Sequence, residues 1–175
     1  MLNKFINCYN NYITSKREYF HRQGIYNEGY DLIVEKKQFE KNDFKLIDLV
    51  QKYAFESSAQ IPEFFVLDDC LRNSINPNWI AFAEYLGRNW FYTFDTENNN
   101  VFLVNQENNK KVFECAINDD FFLQSMCIIL NIESIRFRKN LEIIQDGYLR
   151  EKFAECVTIS GNSLSEDFFK FIIGL

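Results

Sequence analysis

A single histidine, His21, stands in the whole chain, and that scarcity removes the multi-histidine zinc sites that metalloenzymes favour. No Cys-x-x-Cys occurs either: the five cysteines, Cys8, Cys70, Cys115, Cys127 and Cys156, are odd in number and widely scattered. That pattern suits reduced thiols rather than a disulfide framework, and it argues against structural zinc. Glycine-rich phosphate loops, dinucleotide fingerprints and nucleophile elbows are missing, and Gly161 in Ile159-Ser-Gly-Asn-Ser163 marks only a loop. No run of 18 apolar residues exists; patches such as Met126-Cys-Ile-Ile-Leu130 are too short to span a bilayer and suit a buried helix. Residues Met1 to Asn10 hold no continuous apolar segment and no small-residue cleavage site, so the expected location is the cytoplasm, away from any membrane.

Basic residues are also in short supply. Lys and Arg number 19 against 25 Asp and Glu, giving a net charge of -6 and a pI near 4.9. A nucleic-acid partner is therefore not expected, because phosphate neutralisation needs clustered cations. A basic protein partner fits the charge better, through long-range attraction during encounter.

Aromatic residues are abundant instead. Nineteen phenylalanines stand against two methionines and two prolines, so core volume comes largely from rings. At 175 residues and 47% hydrophobic content, one ordinary domain with one sizeable core is expected. Trp79-Ile-Ala-Phe-Ala-Glu-Tyr85, Trp90-Phe-Tyr-Thr-Phe-Asp95 and Val101-Phe-Leu-Val104 read as three strands. Gly87, Arg88 and Asn89, and then Asn98 to Asn100, supply the reversals of a meander. Lys111-Val-Phe-Glu-Cys-Ala116 offers a fourth strand after a turn at Asn108 to Lys110.

Helical spacing brackets this sheet. One amphipathic helix, or two, is expected from about Leu2 to Arg22, and another follows Asn42 or Asp43 as N-cap. The short segment Tyr30-Asp-Leu-Ile-Val34 suits an extended piece or a first edge strand, and Pro62 fits the first turn of a short helix within Gln60 to Leu71. Asn118 or Asp119 caps a helix through Leu130; further helices run from about Leu141 to Glu155 and from about Ser165 to Ile173. The predicted fold is α+β: a single domain over 1–175 with a central, mostly antiparallel sheet of about four or more strands covered by helices. Residues 1–58 form a mainly helical N-terminal part, and 59–175 carry the sheet and its covering helices.

Few residues offer chemistry. His21 lies beside Arg17, Glu18 and Arg22, where a surface role outweighs that of a general base. Asp68-Asp69 and Asp119-Asp120 are adjacent rather than convergent, so a solvated face and helix-start electrostatics explain them more simply than a metal or a paired-carboxylate site. Trp79, Trp90, Phe91, Tyr92 and Phe94 lack the interleaved cations of a base-stacking platform. Strand alternation would bury Trp90, Tyr92 and Phe94 together and turn Phe91 and Thr93 the other way. No catalytic residue, metal or cofactor is expected.

Two local patterns carry a resemblance. Phe82-Ala-Glu-Tyr-Leu-Gly-Arg-Asn-Trp-Phe-Tyr-Thr-Phe-Asp95, and then Ala154-Glu-Cys-Val-Thr-Ile-Ser-Gly-Asn-Ser163 with Asp167-Phe-Phe-Lys-Phe-Ile-Ile-Gly174, are similar to the strand–turn–strand and closing-helix motifs of the SUKH superfamily of SMI1/KNR4-like proteins. The likeness covers about Ile61 to Leu175. It keeps one glycine where that turn usually has several, and Ile61-Pro-Glu-Phe-Phe65 echoes the family's Leu-Pro-x-x-Tyr entry in part. The resemblance implies an α+β fold and a binding rather than catalytic role: an immunity protein that neutralises a cognate toxin, of which a nuclease is one kind, and the acidic balance of the chain would suit a toxin of basic charge. The alternative is a regulatory or scaffolding interaction domain. Glu84, Tyr85, Arg88 and Asp95 are the corresponding contact or signature positions.

Overall fold

A computed structural model describes residues 1–26, 34–35, 43–55, 61, 63–161 and 163–175, with the side chains of Val34 and Glu35 left aside. The chain is α+β. Helix α1 (Leu2–Arg22) is followed by a two-residue strand β1 (Val34–Glu35), helix α2 (Lys45–Lys52) and strand β2 (Tyr53–Ala54), which pairs antiparallel with β1. Five strands then run consecutively: β3 (Phe65–Arg72), β4 (Trp79–Tyr85), β5 (Trp90–Asp95), β6 (Val101–Asn105) and β7 (Lys110–Ala116). They form one antiparallel meander in chain order. Helices α3 (Asp119–Arg138), α4 (Asp146–Ser160) and α5 (Glu166–Ile173) close the fold.

Asparagine makes the meander turn. Asn89, Asn99 and Asn109 take φ of 51°, 65° and 54°, a left-handed conformation that Asn tolerates better than most side chains. Neighbouring amides lock the same turns: Asn98 Oδ1 accepts from the Asn100 N–H at 2.9 Å, and Asn108 Oδ1 accepts from the Lys110 N–H at 3.0 Å.

The core lies between one sheet face and the helices. Tyr92 and Phe94 from β5, Leu103 from β6 and Phe82 from β4 are fully or almost fully buried. Phe64 meets Tyr92 at 5.1 Å between ring centroids, and Phe122 of α3 meets Phe82 at 5.6 Å, both edge to face. Such pairs contribute about 0.5–1.5 kcal/mol each beyond the area they bury. The Tyr92 hydroxyl stays satisfied by donating to the Glu63 carbonyl at 2.5 Å. Helix α1 packs along α3 and sends Phe5 to Phe64, 6.2 Å away, so one continuous core joins the N-terminal helix to the sheet.

Four local expectations change. The stretch from Gln60 to Leu71 contains strand β3 rather than a short helix, and Asp68 and Asp69 are exposed on that edge strand. A register shift between Val66 and Leu71 breaks the period-two pattern that would have revealed it. Asp43 does not cap α2. The N-cap position is Phe44, whose side chain cannot accept, and the Lys45 N–H instead donates to Asp119 Oδ2 at 2.9 Å. Helix α3 continues past Leu130 to Arg138 and is capped by Asn118, which accepts from the Phe121 N–H at 2.8 Å. Asn140 and Leu141 then take left-handed φ of 55° and 62°, so the next helix starts at Asp146, not Leu141. Of the predicted first edge strand only Val34 falls within the described residues; Asn42, Ser57, Ser58 and Pro62 lie outside them.

Candidate functional site

The β4–β5 hairpin ends in a cluster of rings. Tyr85 and Trp90 are cross-strand partners, so their side chains share a face, and they sit 5.8 Å apart between centroids. Phe171 of α5 approaches Tyr85 to 5.4 Å and Trp90 to 5.9 Å, and Phe113 of β7 lies 5.2 Å from Phe171. Gly87 at φ +85° turns the chain back so that Arg88 lands over these rings. Its guanidinium is 5.2 Å from the Trp90 centroid and 5.6 Å from that of Phe171, a cation–π arrangement on an exposed residue. Burial and the nearby Glu63 carboxylate push the Tyr85 phenol up, with Arg88 opposing them. Beside the rings, Leu86 is exposed and Asn89 donates to Glu107 Oε1 at 3.3 Å.

Two of the four nominated residues, Tyr85 and Arg88, thus meet in one patch. Glu84 does not join them. It pairs with Phe91 and Phe65, on the sheet face turned away from Tyr85. Asp95 sits at the far end of β5, only 6% exposed. Its carboxylate accepts from the Trp79 indole at 3.3 Å, the Glu97 N–H at 2.9 Å and the Asn98 amide at 3.1 Å. Those three bonds organise the β5–β6 turn and anchor the start of β4.

The sheet's second face carries a cleft that sequence reasoning missed. Cross-strand partners share a face, which puts Ala81, Thr93 and Phe102 in one row and Glu84, Phe91, Val104 and Lys111 in the next. Toward β7 this surface is filled: Trp79 meets Phe102 at 4.9 Å, and the Lys111 ammonium sits 4.0 Å above the Phe102 ring. Toward β3 the small side chains Ala81 and Thr93 leave a hollow of about 290 Å³. Its rim joins Arg72, Asn73 and Ser74 to Gln106 and Asn109. Asn73 Nδ2 donates to Asn109 Oδ1 at 2.9 Å, tying the end of β3 to the β6–β7 turn across the twisted sheet. The one available signal was the coincidence of Ala81 and Thr93 on the face opposite the rings.

Elsewhere the reactive groups are muted. Burial pushes the Cys156 thiol up to about 12 and raises Cys115 and Cys127 as well, so these sulfurs stay protonated and non-nucleophilic. His21 is exposed near the end of α1, 5.3 Å from the Tyr26 ring. Asp119 and Asp120 stand in the first turn of α3, and Asp120 Oδ2 takes the Lys45 ammonium at 2.7 Å. Among the described residues no three His, Cys, Asp or Glu side chains converge for a metal ion, and no helix is long and apolar enough to cross a membrane.

These features define an α+β domain whose five-stranded sheet packs one face on helices and is hollowed on the other, with an arginine–aromatic patch at the tip of the β4–β5 hairpin. No significant match emerges from comparison with protein-family models, with curated proteins or with solved structures.

Proposed function

We propose that the protein is a non-catalytic cytosolic binding domain that occludes a basic partner, in the manner of an immunity protein and its toxin, and that the hairpin-tip patch is its anchor. The observation that carries this reading is Arg88 lying over Trp90 and Phe171 with Tyr85 alongside. Arg, Trp and Tyr are the residue types that dominate interface energetics when they cluster, and these rings are already immobilised, which lowers the entropy lost on binding. The net charge of -6, with Glu63 close enough to influence Tyr85, suits a partner with a positive surface such as a nuclease's phosphate groove. The strand–turn–strand similarity to SUKH immunity proteins spans the same hairpin, Phe82 to Asp95.

The test is co-expression with the product of the adjacent open reading frame. Rescue of growth by the intact chain, lost with Arg88→Ala and Trp90→Ala, supports the reading. A non-toxic neighbour, or a toxic one that the intact chain fails to restrain, overturns it. In that case partners captured by pull-down would favour a regulatory scaffold.

A further inference from the structure

We infer that Cys8 and Cys127 form a paired oxidation site, at which a two-electron oxidant such as hydrogen peroxide joins helices α1 and α3 by a reversible disulfide. The site is independent of the hairpin-tip patch. Helices α1 and α3 run side by side in one direction. Near their starts Phe64 meets both Phe5 and Phe122, at 6.2 and 5.9 Å between centroids. Near their ends Tyr19 and Phe20 meet Phe137 at 5.5 and 6.3 Å, and Arg22 donates to the Phe137 carbonyl at 3.0 Å. Counted from either pair of anchors at about 1.5 Å per residue, Cys8 and Cys127 fall within about 3 Å of the same level. They also face each other. Cys8 stands between Phe5 and Tyr12 at helical spacing, hence on their side of α1, and Tyr12 meets Phe137 at 5.9 Å. Cys127, Leu130, Ser134 and Phe137 follow the matching stripe of α3, the first three of them buried. There the Cys8 and Cys127 side chains meet in a hydrogen bond.

Access sets the order of the chemistry. Cys8 is half-buried whereas Cys127 is only 4% exposed, so an oxidant from solvent reaches Cys8 first. Peroxide gives one oxygen to the Cys8 sulfur: the O–O bond breaks, an S–O bond forms, water leaves, and Cys8 becomes a sulfenic acid. Burial keeps the Cys127 proton in place, with the Lys4 ammonium opposing it, and Cys127 alone is inert. Once its neighbour is electrophilic, contact makes the second step intramolecular. The Cys127 sulfur attacks the Cys8 sulfur, the S–O bond breaks, and the departing hydroxide takes the Cys127 proton as a second water. Two thiols and one peroxide thus become one disulfide and two waters, and an added dithiol reverses the change. The crosslink closes most of the chain into one loop and fixes the N-terminal helix, as a transient, redox-sensing disulfide would in a reducing compartment.

The full chain is treated with equimolar hydrogen peroxide, its remaining thiols are blocked with N-ethylmaleimide, and its peptides are mapped by mass spectrometry without reduction. The expected product joins the Cys8 peptide to the Cys127 peptide, leaves Cys115 and Cys156 as thiols, and disappears with dithiothreitol. Its Tm should exceed that of the reduced chain by on the order of 10 °C. Cys8→Ser, at a half-buried position that tolerates the change, should abolish both the crosslink and the Tm gain. Cys127→Ala should leave Cys8 as a sulfenic acid that dimedone traps, an outcome that loss of packing alone does not produce. A folded chain that forms no Cys8–Cys127 crosslink in excess peroxide, a crosslink placed at Cys70 instead, or a crosslinked chain no more stable than the reduced one would each overturn the assignment.

Discussion

Gly161 offers a way to measure how tightly α4 is held against the sheet. It ends α4 in the left-handed conformation, and a Cβ there would lie 2.7 Å from Ile117 Cδ1 and 2.9 Å from Ile117 Cγ1. Gly24, just beyond the end of α1, is also left-handed at φ +76° but has nothing within 4 Å. The two positions therefore separate backbone strain from steric contact. A left-handed backbone costs an L-residue about 1–2 kcal/mol, and reduced freedom in the unfolded chain offsets about 0.4–1 kcal/mol. Gly24→Ala should thus destabilise by about 0.5–1 kcal/mol. Ile117 is 39% exposed, so it can yield, but leaving its rotamer adds about 0.5–1.5 kcal/mol. Gly161→Ala should cost about 1–2.5 kcal/mol, or a Tm fall on the order of 2–4 °C per kcal/mol for a chain of this length. Urea unfolding of both variants, alone and with Ile117→Ala, provides the measurement. If Gly161→Ala is no worse than Gly24→Ala, or if its excess survives in the Ile117→Ala background, the contact between the β7 exit and the α4 end is not what holds these elements together.

Other perturbations probe single bonds. Asp95→Ala removes the acceptor of three hydrogen bonds and should cost about 2–3 kcal/mol in urea unfolding; partner binding at the hairpin tip should be retained once the variant is folded. Tyr92→Phe leaves the ring cluster intact but strips the donor from the Glu63 carbonyl, so a loss of about 1–2 kcal/mol is expected, and an unchanged midpoint would mean that water replaces the bond. Glu133 has its carboxyl pushed above the usual carboxylate range, first by burial, against the opposing pull of Arg136. The folded state therefore holds that proton more tightly than the unfolded chain, and stability should fall as pH rises from the ordinary carboxylate pKa through the raised one. Glu133→Gln should flatten that part of the stability–pH curve, and an unaltered slope would assign it to another group.

The meander from Trp79 to Ala116 was legible because ring-rich strands alternate with asparagine turns whose geometry is set locally. Helices α1 and α5 were legible from spacing almost to the residue, whereas α3 was legible at its start but runs on past the expected Leu130 to Arg138. Strand β3 was not, since Asp68 and Asp69 interrupt its apolar pattern and its pairing is supplied by β4. Helix α2 stops at Lys52 because Tyr53 and Ala54 pair with Glu35 and Val34, a partner choice invisible in the segment itself. At the site, Tyr85 and Arg88 were readable from the hairpin, but their meeting with Phe171 depends on a helix more than eighty positions away. The hollow left one trace in the sequence, Ala81 and Thr93 on one sheet face, but its rim bond from Asn73 to Asn109 joins strands far apart in the sheet order.

The bond from the Lys45 N–H to Asp119 Oδ2 crosses 74 positions of sequence. On a ribosome adding about 5–20 residues per second, α2 waits about 4–15 s for the residue that completes its first turn. Helix α1 waits longer, because α3, against which it packs, is made later still. During that interval Phe5 and Tyr9 of α1 can already meet Phe64 and Phe55, whereas Phe137, which Tyr12 meets, is made later. Full closure of the first two helices therefore follows the synthesis of α3, and apolar surface left open in such an interval favours aggregation.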